Sequence, residues 1–129
     1  MPELKGAQTE PAEGLNSTEE FARYAVDFLS DRLASDIVLL DVRGICSFSD
    51  FFIIATGETD RHLEAMATDL VREVRKRGLH VNIREGEGRG GWVLLDYPGF
   101  VVHLFSRRQR DYYGLEKLWS RGNEIVRIQ

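Results

Sequence analysis

Trp92-Val93-Leu94-Leu95-Asp96-Tyr97, Pro98-Gly99 and Phe100-Val101-Val102-His103-Leu104-Phe105 form the stretch that decides the fold. Two apolar runs joined by Pro-Gly read as a β-hairpin, since Pro presets φ for the second residue of a tight turn and Gly tolerates positive φ at the third. Side chains alternate across a strand, so Trp92, Leu94 and Asp96 share one face, and Val93, Leu95 and Tyr97 the other. A carboxylate without a partner is costly in an apolar core. Asp96 therefore belongs on the face that helices leave uncovered, and Trp92 and Leu94 go with it. The returning run sets Val101, His103 and Phe105 against Phe100, Val102 and Leu104. His103, the polar member, joins Asp96, and Phe105 follows.

Upstream of the hairpin, Val81-Asn82-Ile83-Arg84 alternates as a strand with one wet face does, and Gly86-Glu87-Gly88-Arg89-Gly90-Gly91 interrupts. Phe51-Phe52-Ile53-Ile54-Ala55-Thr56 is apolar on both sides and reads as a central strand, with Ile37-Val38-Leu39-Leu40 as a shorter one. Thr59 or Asp60 can cap a helix that carries Leu63, Met66, Leu70 and Val74 inward and stops at Gly78. Ser17 and Glu20 make a capping box ahead of the apolar stripe Ala22, Val26, Leu29 and Leu33, which predicts a first helix over about 18–34. Downstream, Ser106 caps a last helix with Tyr112, Leu115, Leu118 and Trp119 as its apolar face, ended by Gly122.

The order is α-β-β-α-β-β-β-α, an α+β fold with a mixed sheet of about five strands and helices mainly on one face. Residues 1–16 read as a disordered lead-in, 17–122 as one domain, and 123–129 as a tail.

The 129 residues are 43% hydrophobic and 29% charged, which suits one domain with its own core. A net charge of −4 argues against sequence-independent nucleic-acid binding as the main activity, because that needs surplus Lys and Arg to meet phosphates. Local basic clusters exist at Arg72, Arg75, Lys76 and Arg77 and at Arg107, Arg108 and Arg110; solvated helix surface and a basic patch both account for them. Cys46 is the single cysteine, so no internal disulfide forms. No apolar run reaches the ~18 residues of a membrane span. The opening segment carries Glu3, Glu10 and Glu13 where a leader would be apolar or poor in acids, so the expected location is the cytoplasm.

The glycine-rich segment 86–91 does not make a phosphate cradle, since a strand follows it where a helix N-terminus is needed. His62, His80 and His103 stand at no metal-ligand spacing with one another or with Cys46, so neither metal nor cofactor is expected. His103 with Asp96 as orienter has the makings of a general base, but no motif sets a Ser or Cys nucleophile beside it. No catalytic residue is assigned.

What remains is a wet sheet face bearing Trp92, Leu94, Asp96, His103 and Phe105. Exposed aromatics beside a few polar groups have the composition of an interface core. The alternative is that the last helix, through Tyr113 and Trp119, covers this face within the chain. Arg107-Arg108-Gln109-Arg110-Asp111-Tyr112-Tyr113 interleaves basic and aromatic residues as RNA-binding surfaces do.

Three ordered stretches resemble the signatures of the ribosomal silencing factor (Iojap-like) family. They are Asp50-Phe51-Phe52-Ile53-Ile54-Ala55-Thr56-Gly57 with Asp60-Arg61-His62; Gly91-Trp92-Val93-Leu94-Leu95-Asp96-Tyr97 with Val101-Val102-His103-Leu104-Phe105; and Arg110-Asp111-Tyr112-Tyr113-Gly114-Leu115-Glu116-Lys117-Leu118-Trp119. The resemblance spans about 20–120. It implies a nucleotidyltransferase-like fold without catalytic activity, in keeping with the absence of Asp-x-Asp on a strand; an enzyme on the same fold is the alternative. It implies binding to a protein of the large ribosomal subunit on its subunit-joining face, with at most a minor rRNA contact. Joining with the small subunit would be blocked and translation lowered under nutrient limitation, and members can form homodimers. The residues taken as partner-binding are Trp92, Leu94, Asp96, His103, Phe105, Arg110 and Tyr113. One departure stands out: Pro98-Gly99 replaces the Gly-Asp that usually follows Asp-Tyr.

Overall fold

The computed structural model describes residues 15–129, so most of the expected lead-in, residues 1–14, lies outside the described residues. The Ser17 hydroxyl accepts from the Glu20 N–H at 3.1 Å and the Glu20 carboxylate accepts from the Ser17 N–H at 3.0 Å, opening α1 (Thr18–Asp31) with the expected capping box. α1 stops earlier than its apolar stripe. Leu33 adopts φ 67, its N–H bonds to the Ser30 carbonyl, and the Ala34 N–H bonds to that of Leu29. This is a Schellman ending with leucine at the position glycine usually takes. α2 (Asp60–Lys76), capped by the Thr59 hydroxyl, ends in the same pattern at Gly78, φ 103.

Six strands form one sheet in the order β3-β4-β5-β2-β1-β6: β1 Ser35–Asp41, β2 Phe51–Gly57, β3 Ile83–Glu85, β4 Trp92–Tyr97, β5 Phe100–Ser106 and β6 Asn123–Ile128. Neighbours run antiparallel except β2 and β5, which are parallel. The mixed sheet is as read from the sequence, with one strand more. The residues expected to form a tail supply it, since β6 lies along β1 with Val126 opposite Leu39 and Ile128 opposite Ile37. Its Ile125, Val126 and Ile128 are half-buried at the margin of the core.

The Pro98-Gly99 turn closes the β4–β5 hairpin, with Gly99 at φ 88 as a type II turn requires. A Cβ on Gly99 would stand 2.6 Å from the Thr18 side chain. Its carbonyl accepts from the N–H groups of Asp50 and Phe51 at 2.9 and 3.2 Å. The pair that departs from the family pattern thus shapes the hairpin and anchors the start of β2.

α1 and α2 cover one face of the sheet, where Val93, Leu95, Tyr97, Phe100, Val102 and Leu104 meet Ala22, Leu29, Leu63 and Leu70. The other face holds Val38, Leu40, Phe52, Ile54, Val101 and Phe105. The single last helix expected over this region is in fact two, α3 (Arg107–Tyr113) and α4 (Leu115–Leu118), parted by Gly114 at φ 56. The break leaves Leu115 and Trp119 against the sheet but turns Tyr112 and Leu118 outward, to 77% and 74% exposure.

A candidate partner-binding face

Along β4, Val93, Leu95 and Tyr97 are buried while Trp92, Leu94 and Asp96 are only partly buried. The register sets Trp92 opposite Phe105, Leu94 opposite His103 and Asp96 opposite Val101, which joins them into one patch. Ring centroids place Trp92 4.9 Å from Phe105, 4.5 Å from Tyr113 and 5.9 Å from His103. The Trp92 indole N–H donates to His103 Nδ1 at 3.3 Å.

His103 sits edge-on to Phe52 at 5.4 Å and is buried. Burial lowers its pKa to about 4, so the ring is neutral near pH 7. With Nδ1 accepting from Trp92, the ring proton resides on Nε2, which is buried and has no partner among the described residues. The orienting place beside His103 that the sequence offers to Asp96 is held by Trp92.

A groove of about 300 Å³ runs beside this patch, between Leu94, Asp96 and His103 on one side and Phe48, Leu115 and Trp119 on the other. Trp119 stands at 90° to Phe52 with centroids 5.2 Å apart, and Phe48, 69% exposed, forms the outer wall. Both alternatives read from the sequence therefore hold in part. The C-terminal segment covers the face over Phe52, and the row Trp92, Leu94 and Asp96 remains open beside it.

Arg110 and Tyr113, adjoining in sequence, take different roles. The sequence places Arg110 among the partner contacts, but the fold turns it inward, with its side chain 4% exposed. Nε and Nη2 donate to the two Glu116 carboxylate oxygens at 2.9 and 3.0 Å, and Nη1 donates to the Asp36 carbonyl at 2.6 Å and the Thr56 hydroxyl at 2.9 Å. Hydrogen bonds from Arg110 hold the Glu116 carboxyl below its usual pKa. Tyr113 remains half-exposed, with Tyr112 edge-on to it at 5.1 Å. The residues missed by the sequence reading are Phe48 and Phe52. Phe52 shares its side of β2 with Ile54, but a strand apolar on both sides gives no sign of which face a residue serves. Phe48 is a lone aromatic between two serines and carries no pattern.

A family model described as ribosomal silencing factor during starvation matches residues 15–129. The chain belongs to the ribosomal silencing factor family. It is similar to a protein named ribosomal silencing factor from Halalkalibacterium halodurans, 36% identical over 104 residues that make up 81% of this chain and 89% of that one. A mouse relative named mitochondrial assembly of ribosomal large subunit protein 1 is 33% identical over 107 residues, 77% of this chain and 46% of its own. The crystal structure of a protein from Chromobacterium violaceum superposes with a TM-score of 0.78 at 32% identity, over 81% of this chain and 88% of that one. Among the described residues of this silencing-factor chain, no helix is long and apolar enough to cross a membrane.

Proposed function

We propose that the chain silences ribosomes by docking its Trp92 face on a protein of the large subunit, at the surface that meets the small subunit, so that the two subunits cannot join and translation falls under nutrient limitation. The observation that carries this reading is the partly exposed row Trp92, Leu94 and Asp96 on a fold of the silencing factor family. Tyr113 extends the row, while Phe105 and His103 support it from below. A Trp packed on a rigid strand keeps its rotamer before binding, which limits the entropy lost on association. The name of the mouse relative favours the large subunit as the target. Steric exclusion needs no chemistry at the face, and we assign the chain no enzymatic role. The proposed setting is the cytoplasm, and the free protein is proposed to form a homodimer, which sedimentation equilibrium would detect.

The test is sedimentation with separated subunits. The chain is expected to travel with large subunits and to stay behind with small ones. Equal binding to both would overturn the proposal.

A further inference from the structure

We infer that the corner formed by Arg108, Tyr112, Tyr113 and Lys117 is a stacking site for an unpaired RNA base, with the two cations meeting the flanking phosphates. The inference deepens the docking proposed above, because it names a second chemical class of contact at the edge of the same surface.

The packing of α3 carries it. Its inward side holds Arg110 in the buried bonds to Glu116, Asp36 and Thr56, so the opposite side is fixed toward solvent. Arg108 and Tyr112 lie four apart in a helix and therefore share that outward side. Tyr112 is 77% exposed, with its ring at 85° to that of Tyr113 and centroids 5.1 Å apart, so most of the phenol is open to solvent. At such exposure the ring contributes little to the fold beyond its contact with Tyr113. Neither Arg108 nor Lys117 makes an ion pair or a side-chain hydrogen bond among the described residues, whereas Arg107 is paired with Asp36 and Arg110 with Glu116. Lys117 is exposed just after the Gly114 break that follows Tyr113, with its Cδ 4.0 Å from where a Cβ on Gly114 would stand.

A protein interface core is depleted in charge, so a bare phenol flanked by unpaired cations suits a protein partner poorly. A base offers a π-face to the phenol and phosphates to the cations, and single-stranded binding sites are built from these two elements. The acidic balance of the whole chain confines the contact to this corner. Tyr113 makes the corner continuous with the protein-binding face, since its ring lies 4.5 Å from that of Trp92. A subunit surface that presents a ribosomal protein next to an exposed rRNA loop fits both parts at once.

The experiment titrates the chain into a fluorescein-labelled single-stranded oligoadenylate and reads anisotropy at two or more salt concentrations. Weak binding that falls with salt is expected. Tyr112→Ala should weaken it about fivefold or more, as loss of one stacked base does. Arg108→Ala should lower the slope of log affinity against log salt by about 0.7, the share of one phosphate contact on a single strand. Trp92→Ala, whose ring packs on Tyr113, should weaken oligonucleotide binding far less than Tyr112→Ala does while impairing large-subunit binding strongly. No affinity of the unaltered chain for the oligonucleotide, or full affinity in the Tyr112→Ala, Arg108→Ala double variant, overturns the inference. So does a double variant that loses subunit binding when the unaltered chain binds no oligonucleotide, since the corner would then face protein. If the oligonucleotide results hold and no variant binds subunits differently from wild type, the docking face is the part that fails.

Discussion

Arg110→Ala should unfold the protein at markedly lower temperature without touching the docking face directly. The guanidinium is buried and satisfies two carboxylate oxygens, a carbonyl and a hydroxyl from three other parts of the chain. Its removal strands the Asp36 carbonyl and the Thr56 hydroxyl in the interior and leaves Glu116 with Arg127, 3.7 Å away, as its remaining cation. Breaking one side of a buried pair costs about 3–5 kcal/mol. Glu116 is a third exposed, so water regains part of that, and about 3 kcal/mol is the expected loss. For a domain of this size that lowers Tm by roughly 10 °C. The assay is thermal unfolding followed by circular dichroism, with large-subunit sedimentation measured well below the lowered Tm. Stability should fall and binding should largely survive. A Tm within about 2 °C of wild type together with lost binding would show that Arg110 meets the partner, as the sequence alone places it, and is not held in the interior by Glu116, Asp36 and Thr56.

Trp92→Ala should weaken large-subunit binding about thirtyfold, in line with about 2 kcal/mol for a central Trp anchor. It should also lower stability, because the ring packs on Phe105, Tyr113 and His103. Val93→Ala, one residue along and fully buried, should cost about 1–3 kcal/mol in urea unfolding and leave binding intact; the reverse outcome would invert the face assignment. His103 has a folded pKa of about 4 against an ordinary 6.5, so its contribution is complete above pH 6.5 and is lost as pH falls toward 4. Between pH 7 and 4.5 the wild type should lose about 2 kcal/mol more than His103→Phe, and equal losses would contradict the burial argument. Leu33→Gly should raise stability by about 1 kcal/mol by relieving the left-handed leucine that ends α1, provided the melt is compared at one pH.

The hairpin pairing and the faces of β4 were legible because two independent signals agree there, but β5 was not, since His103 and Phe105, expected on the wet face, are buried beneath Trp92 and its neighbours. Period-two alternation fixes which residues share a face, and Asp96 fixes which face meets water. The capping box of α1 and the Gly78 ending of α2 were legible for the same reason, as each rests on a local rule. The end of α1 was not, since Leu33 occupies a position where the rule expects glycine. Gly114 was the available sign that the last helix divides, but an apolar stripe running on through Leu115, Leu118 and Trp119 outweighed it. β6 and the inward turn of Arg110 depend on partners far away in sequence: β1 for the strand, and Asp36 and Thr56 for the guanidinium. No local pattern encodes such pairings. The same holds for the groove, whose walls come from the loop before β2 and the segment after α4.

Subunit joining measured by light scattering distinguishes silencing by exclusion from binding alone. Large subunits are incubated with the chain and then mixed with small subunits at a magnesium concentration that supports association. The scattering rise is expected to be suppressed in proportion to occupancy by the chain, and Trp92→Ala to restore it at concentrations where wild type suppresses it. An undiminished rise with the chain demonstrably bound to the large subunit would contradict silencing by exclusion.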